Sequence, residues 1–173
     1  CAHGVVKLMM QWTSDEVDNV AVNAYDALVN ISADGLEERL QEMLSLKAVD
    51  RVFETLGKCG GSVDAMGPLQ KKKLHSALML LANLTTTVEG AGECMQSGSS
   101  DPTVVGLRMR VRLVEPFVAS SAPSEAAGEE FADPWEHAAS VLCNVSQLQD
   151  GRDMIRRRST RVLPRLLAQL QSP

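Results

Sequence analysis

The residue types that most often carry chemistry are present in this chain, but not in arrangements that would carry it. Cys1, Cys59, Cys94 and Cys143 are far apart, so no two have the C-x-x-C spacing that holds a metal or a redox disulfide. His3, His75 and His137 are as scattered. There is no G-x-S-x-G nucleophile turn, no glycine loop opening a helix to cradle phosphate, and no H-E-x-x-H pair. Gly60-Gly61 is an isolated pair, and the many carboxylates show no recognisable pairing with a histidine or a metal-ligand set. The expectation is a protein that is not an enzyme, with no cofactor, no metal and no small-molecule substrate. Cys143 sits in an apolar stretch and reads as a small core residue, and the thiols together read as structural groups of a reducing compartment.

Two other groups of residues stand out as candidates for binding. The first is basic. Arg152, Arg156, Arg157, Arg158, Arg161 and Arg165 face a single Asp153 between Arg152 and Pro173, which makes that segment +5 in a chain of net charge −5 and leaves −10 elsewhere. Arg152 and Arg156 lie one helical turn apart, as do Arg161 and Arg165, so part of the cluster shares a face. It suits either a solvated helix matched by acidic groups of neighbouring structure or a docking patch for an acidic partner. The acidic remainder argues against nucleic acid as that partner. Lys71-Lys72-Lys73 reads as a solvated first turn.

The second group is a row of asparagines in three like segments: Ala27-Leu28-Val29-Asn30-Ile31-Ser32, Leu80-Leu81-Ala82-Asn83-Leu84-Thr85 and Val141-Leu142-Cys143-Asn144-Val145-Ser146. Each also fits the N-x-S/T glycosylation pattern, but each closes an apolar helical pattern and no secretory signal precedes them, so an internal repeat is the better account. A packed asparagine amide needs partners. Asn30, Asn83 and Asn144 therefore either tie one unit to the next, through backbone carbonyls, or line an inner surface that clamps an extended peptide.

The elements that position these groups are helices. Val17, Val20, Ala21, Ala24, Leu28 and Ile31 recur at one-face helical spacing. Thr13 and Glu16 fit a capping box ahead of that helix, and Asp133-Pro134-Trp135-Glu136 has the same form with proline at the first helical position. Pro68 can open the middle helix likewise. Asp34-Gly35, Glu89-Gly90 and Asp150-Gly151 read as stops. Shorter helices are expected over 5–11, 36–46, 49–56, 91–96, 107–119, 153–158 and 161–170, with Pro116 ending or kinking one of them. Two helices, then three, three and two follow in order. Leu78 to Ala82 is apolar nearly all round, as a helix buried between stacked units must be.

The composition agrees: 45% hydrophobic, 23% charged and only 3% aromatic, with the unbranched apolar residues that suit close helix packing. The fold class is all-α, an armadillo/HEAT-like helical solenoid: a right-handed superhelix of three-helix repeats forming one domain over 1–173. The spacing from Asn30 to Asn83 is 53 residues and from Asn83 to Asn144 is 61, longer than the ~40–47 of such repeats. The excess falls in 57–67, 97–106 and 120–133, which read as flexible, solvent-facing insertions. No run approaches the ~20 apolar residues of a membrane span, and no charged segment leads into an apolar stretch at the start, as a secretory signal would. A first residue other than methionine suggests a fragment of a longer solenoid, with apolar surface at its cut ends.

Nuclear import receptors share this repeat and carry a tryptophan four residues before each asparagine; here Asp26, Met79 and Ser140 stand there, so import of basic peptides is not expected. A different resemblance is carried by Ala27 to Leu36, by Ala82-Asn83-Leu84-Thr85, by Val141 to Gln147 followed by Gly151-Arg152-Asp153, and by Val162-Leu163-Pro164-Arg165-Leu166-Leu167. In that order these segments resemble the armadillo units of a eukaryotic family once called brain protein sixteen, over nearly the whole chain outside the insertions. The resemblance implies a cytoplasmic, non-catalytic adaptor, a cochaperone that links translation elongation factor 2 to the cytosolic chaperonin. A general armadillo scaffold or transport module, gripping a native partner or an extended peptide, is the alternative.

Overall fold

The computed structural model describes residues 3–59, 66–95 and 134–156, and among these residues every regular element is a helix. In chain order they are α1 (His3–Trp12), α2 (Asp18–Ser32), α3 (Glu37–Ser45), α4 (Ala48–Cys59), α5 (Pro68–Leu84), α6 (Val88–Met95), α7 (Pro134–Val145) and α8 (Gln149–Arg156). The helices expected over 107–119 and 161–170, and the insertions 97–106 and 120–133, lie outside the described residues.

The core runs through α5, which packs against α2, α7 and α4. Its buried residues, Leu74, Ser76, Ala77, Leu78, Leu80, Leu81, Ala82 and Leu84, leave little of its circumference to solvent. Each leucine so buried contributes roughly 1.5–3 kcal/mol, so this one helix anchors the units on both sides of it. Helix α2 is buried more widely than a single stripe: Val22, Tyr25 and Val29 join Ala21, Ala24 and Leu28, while Val17 is exposed. Tyr25 reaches across to α4, where its hydroxyl lies 2.7 Å from that of Thr55 in a buried pair.

Several local expectations need correction. Thr13 and Glu16 do not cap α2. Helix α1 runs on to Trp12, so Thr13 falls in its last turn and its hydroxyl donates to the Met10 carbonyl at 2.8 Å. Helix α2 starts at Asp18, and Asp15 Oδ1 accepts the Val17 N–H in the turn before it. The segment 57–67 is not all insertion either: α4 continues through Gly57 and Lys58 to Cys59, and Met66 is buried in the core. Pro68 does open α5, where Gln70 Oε1 accepts the Gly67 N–H at 3.3 Å.

The three glycine stops divide into two kinds. Gly35 ends a helical segment in the left-handed region, φ +66°, where a Cβ is strained. Gly90 and Gly151 stop nothing; they lie inside α6 and α8. A Cβ on Gly90 would fall 2.0 Å from the Leu84 carbonyl oxygen, and one on Gly151 would fall 2.0 Å from that of Val145. Each glycine lets a short helix turn tightly across the end of the long helix before it. Thr87 reinforces the first of these corners, accepting the Gly90 N–H at 3.0 Å while donating to the Leu84 carbonyl.

Gly90→Ala should therefore destabilise the fold by about 1–3 kcal/mol, the usual range for forcing atoms into packed space. Gly92→Ala, in the same helix with nothing within 4 Å of its Cβ position, should be neutral or gain up to about 1 kcal/mol from helix propensity. Urea denaturation of the two variants checks the contrast.

Candidate interaction surface

The asparagine row becomes a ladder in the structure. Asn83 Nδ2 donates to Ser32 Oγ at 2.8 Å. Asn144 Nδ2 donates to Thr85 Oγ1 at 3.1 Å and to the Ala82 carbonyl at 3.2 Å. Ser32 and Thr85 each stand two residues after the asparagine of their own unit, so the asparagine of one unit is received by the hydroxyl of the unit before. The hydroxyls are pre-aimed. Ser32 Oγ donates to the Val29 carbonyl at 2.9 Å and Thr85 Oγ1 to the Ala82 carbonyl at 3.0 Å, which turns their lone pairs outward. Ser146 has the same internal bond, to the Cys143 carbonyl at 2.7 Å. The serine or threonine of the N-x-S/T pattern is thus an acceptor in a packing joint, and its hydroxyl, more than a backbone carbonyl, takes the amide.

The first joint has further polar ties. Ser76 Oγ donates to Asp26 Oδ1, Lys72 Nζ lies 3.5 Å from Asp26 Oδ2, and Lys73 Nζ lies 2.8 Å from Asp18 Oδ1. Lys72 and Lys73 are therefore interface residues of α5 and not simply a solvated turn. Asn30, at the start of the ladder, is exposed.

The second joint is marked by two histidines. The rings of His75 (α5) and His137 (α7) meet edge to face, with centroids 4.6 Å apart and planes at 62°. His137 Nε2 is buried with no hydrogen-bond partner among the described residues. Burial, then the neighbouring His75, lower the His137 pKa from its usual 6.5, and Glu136 opposes them. Neither histidine stood out in the sequence; only their register relative to Asn83 and Asn144 could have brought them together.

The arginine cluster is only partly in view. Arg152 guanidinium donates to the carbonyls of Ser146 (3.1 Å) and Gln147 (2.8 Å) and to Gln149 Oε1 (2.7 Å). It closes the end of α7 and is partly buried. Arg156 is exposed at the last described position of α8. Arg157, Arg158, Arg161 and Arg165 lie outside the described residues. Cys143, expected in the core, is exposed on α7, whereas Cys94 is buried.

A cleft of about 200 Å³ opens where the α1–α2 turn, α4 and the start of α5 converge. Asp15, Asp18 and Glu54 alternate there with Arg51, Lys58 and Lys73, and the pairs Lys73–Asp18 and Arg51–Glu54 neutralise much of the charge. Among the described residues no three histidines, cysteines or carboxylates come together as a metal site, and no helix is long and apolar enough to cross a membrane. Comparison with known proteins finds no matching family model, curated protein or solved structure.

Two outcomes follow. Removing either end of the first tie, Asn83→Ala or Ser32→Ala, should cost about 0.5–1.5 kcal/mol. The double variant should cost less than the sum, because the second substitution removes a bond already lost; denaturation of the four proteins gives the coupling. The second outcome concerns pH. The folded His137 pKa lies below the unfolded value, so the unfolded chain takes up its proton first and stability falls as pH drops through about 6.5. Above that pH the effect vanishes. The difference in thermal midpoint between the native protein and His137→Gln should narrow from pH 7.5 to pH 5.5.

Proposed function

We propose that this chain is an armadillo/HEAT-like solenoid module, a right-handed stack of three-helix repeats, that works by holding another protein. The observation that carries the reading is the ladder: the same asparagine-to-hydroxyl tie joins α2 to α5 and α5 to α7. A joint repeated in one register stacks like helices side by side, as repeat proteins do to build extended binding surfaces.

The resemblance to the brain protein sixteen family makes the partner specific. On that reading the chain is a cytoplasmic cochaperone that presents elongation factor 2 to the cytosolic chaperonin, by selective binding and without covalent chemistry. Apolar exposure on the stack would supply affinity, and the basic segment beginning at Arg152 would steer an acidic client. Arg156, with Arg157, Arg158 and Arg161, is the part of that segment assigned to the client, since Arg152 is engaged with its own helix end.

The test is capture from a eukaryotic cytosolic extract on the immobilised chain, analysed by mass spectrometry. Elongation factor 2 and chaperonin subunits should be enriched, and reversing charge at Arg156, Arg157 and Arg158 should lower their recovery several-fold. Enrichment of native complexes containing neither would replace the cochaperone by the general scaffold, and strongly salt-dependent recovery of RNA would overturn both.

A further inference from the structure

The chain contains two aspartate–glycine pairs, Asp34-Gly35 and Asp150-Gly151, and the fold treats them in opposite ways. Such a pair is open to rearrangement of its own backbone, because glycine has no side chain to shield its nitrogen from the carboxyl beside it. In the turn between α2 and α3, residues 33–38 are exposed. Gly35 has a left-handed φ of +66°, and nothing lies within 4 Å of its Cβ position. Asp34 Oδ1 accepts the Leu36 N–H at 3.4 Å, a contact that folds the carboxyl forward over the Gly35 peptide. The Gly35 N–H donates to the Ser32 carbonyl at 3.2 Å.

Asp150-Gly151 has none of this freedom. Both residues lie in α8, where side chains lean toward the N-terminus, away from the nitrogen of the next residue. Gly151 is buried, with the Val145 carbonyl oxygen 2.0 Å from where its Cβ would stand, so that peptide has no room to turn. At Asp34 the strongest restraint is ionic. Arg39 Nη1 lies 2.7 Å from Oδ2, a charge-assisted bond that ties the carboxylate to the first turn of α3.

We propose that Asp34-Gly35 is a site of spontaneous isoaspartate formation and that Arg39 restrains it. The Gly35 nitrogen attacks Asp34 Cγ and loses its proton to water. The Cγ–Oδ2 bond breaks, and Oδ2 leaves as water with two protons taken from solvent. Arg39 opposes the step at the atom that must leave. The five-membered succinimide then takes up one water and releases one proton. Opening at Cγ restores aspartate. Opening at the Asp34 backbone carbonyl carbon leaves Cγ as the link to Gly35 and a free carboxylate beside it, with no change in mass. The product has one more atom in its main chain. That atom enters the turn directly after Ser32, whose hydroxyl receives Asn83, and the Gly35 bond to the Ser32 carbonyl is lost. The change loosens the first joint of the ladder, whatever partner the surface holds.

The test is incubation of the full chain for several weeks at neutral pH and body temperature, folded and in concentrated urea. Peptide mapping locates isoaspartate by the electron-transfer fragment ions that distinguish it from aspartate. In the folded chain it should accumulate several-fold faster at position 34 than at position 150. In urea the two positions should react alike, since glycine follows both. Arg39→Gln, verified as folded by circular dichroism, should raise the rate at position 34 several-fold in the folded chain and leave it unchanged in urea. The isoaspartate fraction, separated by ion exchange, should melt several degrees below the unaltered chain. A folded chain that gains no isoaspartate at position 34, in the native protein and in the variant alike, overturns the proposal, as do equal rates at the two positions while folded. An unchanged rate in Arg39→Gln removes the restraint assigned to Arg39, and an unchanged melting midpoint removes the effect on the joint.

Discussion

The structure depends on how a half-buried side-chain amide is satisfied at a helix joint. An amide taken out of water without a partner costs a sizeable fraction of a domain's net stability. Asn83 and Asn144 sit where two long helices cross, and each finds a hydroxyl belonging to the unit before. The bond adds only about 1 kcal/mol. Its larger effect is on register. Leucine against leucine tolerates sliding, but an amide aimed at a hydroxyl held in place by its own helix does not, so the apolar surfaces of α2, α5 and α7 are fixed at one offset. The paired charges Lys72–Asp26 and Lys73–Asp18 reinforce this at the first joint. At the second, two imidazoles take their place, and that joint weakens as protons become available.

Much of this was legible in the sequence. The helical class, the repeat and its asparagine followed from apolar spacing and from three like segments. So did the number and order of helices within the described residues, and Leu78 to Ala82 as a stretch buried nearly all round. What was less legible was the partner of each side chain. The N-x-S/T pattern showed both halves of the tie, but not that the serine belongs to one bond and the asparagine to another, a unit apart. Thr13 fitted a capping box because the end of α1 and the start of α2 lie close together, and a hydroxyl there serves either helix equally well on spacing alone. Gly90 and Gly151 looked like stops because a glycine after a helical run is most often a terminator. Only the 2.0 Å approach to a carbonyl distinguishes a residue that ends a helix from one that lets the next helix begin against it.

The candidate surface was legible in outline. Asparagines 30, 83 and 144 were evident, but the fact that the first differs from the other two is visible only once the neighbours are in place: two amides are engaged and one is bare. The arginines were conspicuous as charge, yet Arg152 uses its charge on carbonyls at the end of its own helix. Charge runs reveal composition, and the division between anchoring and presenting residues depends on where a helix ends. Cys143 was misplaced for a related reason: on a helix buried on two sides, the third narrow face still reaches solvent, and an apolar sequence does not mark it.

The tight corners at Gly90 and Gly151 have an effect on how such a chain can vary. Both are set entirely by residues within seven positions of the asparagine: the helix end, its hydroxyl, and the glycine that follows. The corner that follows each of these asparagines is therefore a short cassette, to which the charge pairs Lys72–Asp26 and Lys73–Asp18 add from outside at the first joint. A single methyl group inside the cassette would disturb the corner, since it would fall 2.0 Å from a backbone carbonyl oxygen. The two intervals between the asparagines differ, 53 residues in one and 61 in the next, while the distance from asparagine to corner glycine is seven in both, so the cassette is a better mark of kinship among such units than the spacing.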